Sequence, residues 1–268
     1  LLARHVLQQC DDLDGVADGV VARTERCQPE LDTLLCEGGA SSDCFTGAEL
    51  ASIRRLYQGA TVGNKQLFPG IPPGSESLWS RWVVGTDTDR AWGERAAEGN
   101  LRLTYGIPTE QPFNPHDYVL AEELENLQKY APVLNATDPD LGGLAKAGGK
   151  LFYYHGLADP LILEGRVRQY YEDALAATGE DTLKRIARFV MVPGHGHCWE
   201  IPGQVADDFN PLVVIDHWVE SGQTPDFIVA RYTGKGVSHS RKLCPFPQVA
   251  VRSGSDANKA DDYQCRLP

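Results

Sequence analysis

Two short stretches carry the residue types from which a catalytic site can be built. In "FVMVPGHGHCWE", Phe189 to Glu200, four apolar residues run into a glycine-rich turn that presents His195, His197 and Cys198. In "GKLFYYHGLADPLI", a second apolar run ends shortly before Asp159. Two histidines and a cysteine are metal-ligand types, but zinc takes a tetrahedral set and the remaining cysteines group elsewhere in pairs. A redox thiol usually has a resolving cysteine close by, and Cys198 has none near it in sequence. A histidine merely satisfied within its turn is the bland alternative. A carboxylate after one strand and a histidine after the next form the acid and base of a nucleophilic triad. The aspartate there fixes the imidazole tautomer, and the histidine takes the nucleophile's proton. The nucleophile itself is wanting: "GASSD", "PGSES" and "RSGSD" all fail the Gly-x-Ser-x-Gly pattern, and no oxyanion-hole turn precedes them.

A third stretch, "CDDLDGVADGVVARTERC", interleaves the carboxylates of Asp11, Asp14 and Asp18 with glycines and closes at both ends with cysteine. Calcium takes roughly six to eight oxygens, mixing carboxylates with carbonyls, and such a loop can supply both. A solvated acidic turn is the alternative. A helix–loop–helix calcium hand would use Asp14, Asp18, Gly19 and Glu25, but Val16 would then stand where an oxygen ligand belongs, and the disulfide would be unexplained.

The seven cysteines pair naturally as neighbours, Cys10 with Cys27, Cys36 with Cys44 and Cys244 with Cys265, which leaves Cys198 alone. So many cysteines, with an Asn-Ala-Thr sequon at Asn135, point to a secreted, extracellular and oxidised protein. The formal charge of −12 argues against nucleic acid or an anionic membrane surface as a partner. No run approaches the roughly 20 apolar residues that cross a bilayer. The chain of 268 residues, 42% hydrophobic and 23% charged, has the composition of a globular protein of one large or two ordinary domains. It opens with "LLARHVLQQC", without Met and as if within a helix, so its beginning reads as a processing or cleavage site, or as the edge of an ordered region, and not as the start of translation.

The elements that must position these residues lie mainly between about 148 and 232. "GKLFYYHG" and "IARFVMVPG" read as buried strands. "EGRVRQYYEDALAATG" and "NPLVVIDHWVESG" read as helices, the second with Pro near its start and Gly at its end. Strand, helix, strand, helix is the pattern of a parallel crossover, and it puts Asp159 and His197 at the carboxyl ends of two strands. Residues 10 to about 145 are rich in Gly, Pro, Asp and Trp, with short helical patches at "TGAELASIRRLYQG" and "AEELENLQKYA". The tail "DANKADDYQC" reads as a loop stapled by Cys265.

Taken together, "CDDLDGVADGVV" closed by Cys27, "GGKLFYYHGLADPLI", "PGHGHCWE" and the aspartate-rich terminal loop resemble the tannase and feruloyl esterase family of α/β-hydrolases. The resemblance implies an α/β fold: residues 1–9 end a hydrolase helix, 10–145 form an inserted lid, and 146–268 close the hydrolase sheet. It implies that His197 is the catalytic base and Asp159 its orienting acid. Cys198 would bond a cysteine beside a nucleophilic serine on an amino-terminal segment or partner chain, as in family members processed into two disulfide-linked subunits. The lid would hold a structural calcium ion, distant from the chemistry, through the carboxylates of Asp11, Asp14 and Asp18 and the carbonyls of Val16 and Val20. Substrates would be small phenolic-acid esters, with gallate favoured over ferulate and Trp79, Trp82 and Trp92 as possible pocket residues. A non-catalytic secreted calcium-binding module is the competing class.

Overall fold

The computed structural model describes residues 1–38, 41–198, 203–234 and 236–268. It begins with α1 (Leu2–Cys10), followed by α2 (Gly47–Gln58), the short pair β1 (Thr61–Val62) and β2 (Lys65–Gln66), and α3 (Trp79–Trp82). The helices α4 (Trp92–Tyr105), α5 (Leu120–Leu134) and α6 (Gly142–Lys146) come next. Helix α2 opens on a full capping box, Thr46 accepting from the Glu49 amide while Glu49 reaches back to the Thr46 amide. One core joins Leu2, Val6 and Cys10 of α1 to Val21, Leu31, Leu50, Ile53 and Trp79.

The remainder is the crossover that the sequence anticipates. Strand β3 (Leu151–Gly156) leads through α7 (Glu164–Thr178) and α8 (Glu180–Ile186) to β4 (Ala187–Val192), which pairs parallel with β3 in a register that sets Gly156 against Val192. Along β4 the side chains alternate between two cores. Ala187 and Phe189 join Val167, Ala174, Leu183 and Ile186, while Val190 and Val192 join Ala206, Ile228 and Leu243. Both faces are therefore covered, which is why "FVMV" is a continuous apolar run rather than an alternating one. Helix α9 (Pro211–Ser221) has Asn210 as its N-cap, Pro211 in its first turn and Gly222 in the left-handed conformation at its end.

The sequence reading misses three features. Helix α8 lies where only the approach to a strand is expected; Leu183 and Ile186 bury, with acids in its first turn and Lys184 and Arg185 in its last. Two antiparallel pairs follow α9, namely β5 (Ile228–Gly234) with β6 (Val237–Leu243) and β7 (Val249–Arg252) with β8 (Tyr263–Arg266). The tail is thus a strand at its end and not loop throughout, because Tyr263, 1% exposed, buries its ring and pairs with Arg252. The three expected disulfides, Cys10–Cys27, Cys36–Cys44 and Cys244–Cys265, all form, and Cys198 is the free cysteine among the described residues.

Gly156 ends β3 in a place where no side chain fits: an added Cβ would lie 2.2 Å from the carbonyl oxygen of His195. The obstacle is backbone, so it cannot swing away. Gly156→Ala is expected to lower stability by about 1–3 kcal/mol, the usual cost of forcing extra volume into a packed site. The midpoint of urea denaturation checks this.

Candidate active site

The two strands stay bonded beyond their last paired residues. The Leu157 amide donates to the Val192 carbonyl at 3.0 Å, and the Ala158 amide to the His195 carbonyl at 3.0 Å. Asp159 follows at once and is 5% exposed. Its Oδ1 accepts the amides of Leu161 and Ile162 at 2.8 and 2.9 Å, so the loop grips its own carboxylate. His197 Nδ1 lies 3.0 Å from Oδ2 and 3.2 Å from Oδ1 of Asp159. A carboxylate only accepts, so Nδ1 carries the proton and Nε2 is left with its lone pair. The pair joins the ends of two strands through residues far apart in sequence, and the imidazole side chain keeps 23% of its surface exposed. That is the geometry of a general base with its orienting acid.

Neighbouring histidines are spent on holding this arrangement. His195 Nδ1 is 3.0 Å from Asp207 Oδ2, which answers the turn-histidine reading for that residue. Nothing in the spacing of His195 and Asp207 marks them as partners. His155, in β3, bonds the Ile162 carbonyl through Nε2 at 2.6 Å and so closes the loop that carries Asp159. Among the described residues no three His, Cys, Asp or Glu side chains converge as a metal-binding group, and His195, His197 and Cys198 do not form one. Cys198 is exposed and takes a left-handed φ of 59°, a strained choice for a residue with a Cβ. Trp82 packs its ring on His197, Trp92 stands next to Trp82, and Trp79 is buried against Tyr57. Trp199, Glu200, Ile201 and Pro202 lie outside the described residues.

The acidic loop abuts the histidine turn. A Cβ on Gly194 would meet Val20 Cγ1 at 2.8 Å and Val205 Cγ2 at 2.7 Å, so Val20 packs three residues from His197. Asp11 accepts the amides of Asp18, Gly19 and Val20, and Asp14 accepts that of Val16. Burial, with Asp18 adding to it, pushes the Asp14 carboxyl up to about 6. No described residue donates to the Val16 or Val20 carbonyl. Asp11, Asp14 and Asp18 do not converge as a metal-binding group either, so the loop matches a hard cation in the kind of its oxygens and not in their placement. Arg241, 2.7 Å from Asp18 Oδ2, supplies part of the positive charge such a cation would bring.

The parallel crossover thus joins an aspartate and a histidine at its strand ends, an arrangement that can work as an orienting acid and a general base. The family model described as tannase and feruloyl esterase matches residues 1–266, and the chain belongs to that family. It is 29% identical to a probable feruloyl esterase B-2 of Aspergillus fumigatus, over 97% of this chain and 52% of the relative. To a probable feruloyl esterase B-1 of Aspergillus oryzae it is also 29% identical, over 91% of this chain and 47% of the relative. The crystal structure of feruloyl esterase B from Aspergillus oryzae superposes with a TM-score of 0.83 at 25% identity, covering 98% of this chain and 55% of that one. The tannin acyl hydrolase from Aspergillus niger shares the fold, with a TM-score of 0.78 at 22% identity over 100% and 53% of the two chains. The chain thus spans about half the length of the relatives it matches.

Burial holds the His155 imidazole below its ordinary value of 6.5, against the opposing pull of the Ile162 carbonyl and of Asp159 and Glu164, with His195 adding to the fall. Below that value the unfolded chain binds a proton that the folded chain resists. This group's contribution to stability is therefore present above 6.5 and lost as pH falls beneath it. His155→Gln, which keeps a donor without titrating, is expected to lose less melting temperature than the parent between about pH 7 and about pH 5. An equal loss would show that His155 is not the sensitive group.

Proposed function

We propose that this chain supplies the acid and base of a secreted, extracellular serine carboxylesterase that hydrolyses phenolic-acid esters. The observation that carries the reading is the bond of His197 Nδ1 to the buried, amide-gripped carboxylate of Asp159. His197 Nε2 takes the proton of a nucleophilic serine as it attacks the ester carbonyl, then delivers that proton to the leaving alkoxide. Asp159 keeps Nδ1 protonated throughout and stabilises the imidazolium between the two transfers. Water repeats the sequence on the acyl-enzyme. The serine and its oxyanion-hole amides belong to an amino-terminal segment or partner chain, joined by a disulfide at Cys198. The exposure and strained φ of that cysteine favour a covalent constraint there.

Residues 10–145 act as the lid over the substrate. Asp11, Asp14, Asp18 and the carbonyls of Val16 and Val20 hold a structural calcium ion beneath the histidine turn. Neither nucleic acid nor a membrane enters the reading; no helix among the described residues is long and apolar enough to cross a bilayer. For the acyl group, the names of relatives at 29% identity favour hydroxycinnamates such as ferulate. Gallate esters of tannins are the second reading, suggested by the fold shared with a tannin acyl hydrolase.

In the complete enzyme, His197→Ala is expected to lower kcat by at least about four orders of magnitude with little change in folding. Near-parental turnover would refute the base assignment. Hydrolysis of methyl ferulate faster than methyl gallate would support the hydroxycinnamate preference, and the reverse order would replace it. A strong chelator is expected to lower the melting temperature by several degrees, since a ligand held only by the folded state adds to its stability. An unchanged melting temperature would count against the calcium loop.

A further inference from the structure

Beside the His197 imidazole stands a residue from a distant part of the chain. The rings of Trp82 and His197 meet edge to face, centroids 4.6 Å apart and planes at 69°. Asp159 fixes Nδ1 of the imidazole, but a hydrogen bond at one ring atom leaves the plane free to rock, because rotation about the Cβ–ring bond is broad. An indole against the ring removes that freedom and keeps the Nε2 lone pair pointing one way.

Trp82 is well placed to serve as a wall because it is itself held. It is 8% exposed, with the Arg81 guanidinium 5.5 Å from its ring centre and the Trp92 ring at 6.4 Å. It closes α3, whose first residue, Trp79, donates Nε1–H to Ser75 Oγ at 2.9 Å; Ser75 in turn donates to the Pro72 carbonyl at 2.7 Å. On its far side α4 begins with Trp92 and Gly93. A Cβ on Gly93 would stand 2.6 Å from the Trp82 carbonyl and 3.1 Å from Leu161 Cδ2. The start of α4 is thus wedged between the backbone of Trp82 and the loop that carries Asp159. The same junction fixes the indole and the acid relative to each other.

We propose that Trp82 is a positioning residue for the esterase reaction, setting the plane of the His197 imidazole so that Nε2 stays aligned for proton transfer. This inference rests on the reading of His197 as the base. A positioning residue acts on every ester the enzyme cleaves, whereas a residue that only contacts the phenolic ring acts on aromatic acyl groups alone. The complete enzyme, with its nucleophile-bearing segment, would be assayed on methyl ferulate and on p-nitrophenyl acetate, whose acyl group has no ring. Trp82→Ala is expected to reduce kcat on both esters by about tenfold, the order of an aromatic contact energy expressed as a rate, with KM within about twofold. Trp82→Phe, which restores a ring, is expected to recover most of the loss.

A rise in KM confined to methyl ferulate would overturn the proposal, because Trp82 would then touch substrate and not the base. An unchanged kcat on both esters would overturn it as well. If Trp82→Ala does not fold, as judged by circular dichroism, the comparison moves to Trp82→Phe and Trp82→Leu at matched melting temperature. A higher kcat for Phe than for Leu supports the ring contact, and equal values refute it. His197→Ala in the same assays separates the two layers. Activity retained there removes the base assignment itself, while activity lost there with Trp82→Ala unaffected removes only the role of Trp82.

Discussion

The parallel pairing of β3 with β4 is the constraint from which the rest of the site follows. Its register sets Gly156 against Val192, and the next backbone bonds, Leu157 to Val192 and Ala158 to His195, carry the pairing past the sheet edge. Asp159 and His197 then have little freedom left, since each sits a few residues beyond a fixed point. A slip by one residue would send every side chain of β4 to the opposite core. It would exchange Phe189, which joins the α7 and α8 cluster, with Val190, which joins the cluster under β5 and β6. The dyad is therefore aligned by the same apolar burial that holds the fold together.

A second junction ties residues 23–25 to α7. Thr24 Oγ1 donates to Glu164 Oε1 at 2.6 Å, and Arg168, itself paired with Glu164 at 2.9 Å, reaches Glu25 at 4.0 Å. These groups are largely shielded from water, where breaking a pair costs more than making it gains. Leu163, one residue before Glu164, packs into the core of α1 and α2, so the two parts of the chain share apolar as well as ionic contacts.

Much of this was legible in the sequence, for stateable reasons. Strand β4 announces itself because both its faces are buried, which writes a dense apolar run; β3 is written by its aromatic residues, although only His155 and Gly156 at its end are buried and Tyr154 is exposed. Helix α9 is written by Asn210, Pro211 and Gly222, each required by the local backbone. The neighbour pairing of six cysteines and the placement of Asp159 and His197 beyond successive strands were also open to reading. The β5–β6 and β7–β8 pairs were not, because half-buried strands such as Val237–Leu243 mix Ser, His, Arg and Lys with apolar residues. Partnerships such as His195 with Asp207, or Trp82 with His197, leave no periodic trace: they are set by tertiary packing between segments that need only the right residue at one point. Gly156 and Gly93 show the same limit, since what forbids a side chain there is backbone or side chains from another part of the chain.

The three disulfides have a consequence for how the chain matures. They span 17, 8 and 21 residues, and in each the half-cystine joins the next one along the chain. Short loops close quickly and with little entropy to overcome, so these bridges can form as successive segments emerge during synthesis, with proximity choosing the partner. Cys198 follows another rule. Every other cysteine in the chain is already committed, so any bridge it makes must wait for β3, β4 and their crossover to bring it to a thiol from elsewhere. Oxidation at Cys198 would then be the late step in maturation, reporting that tertiary structure has formed, while the other bridges record only the order in which the chain was made.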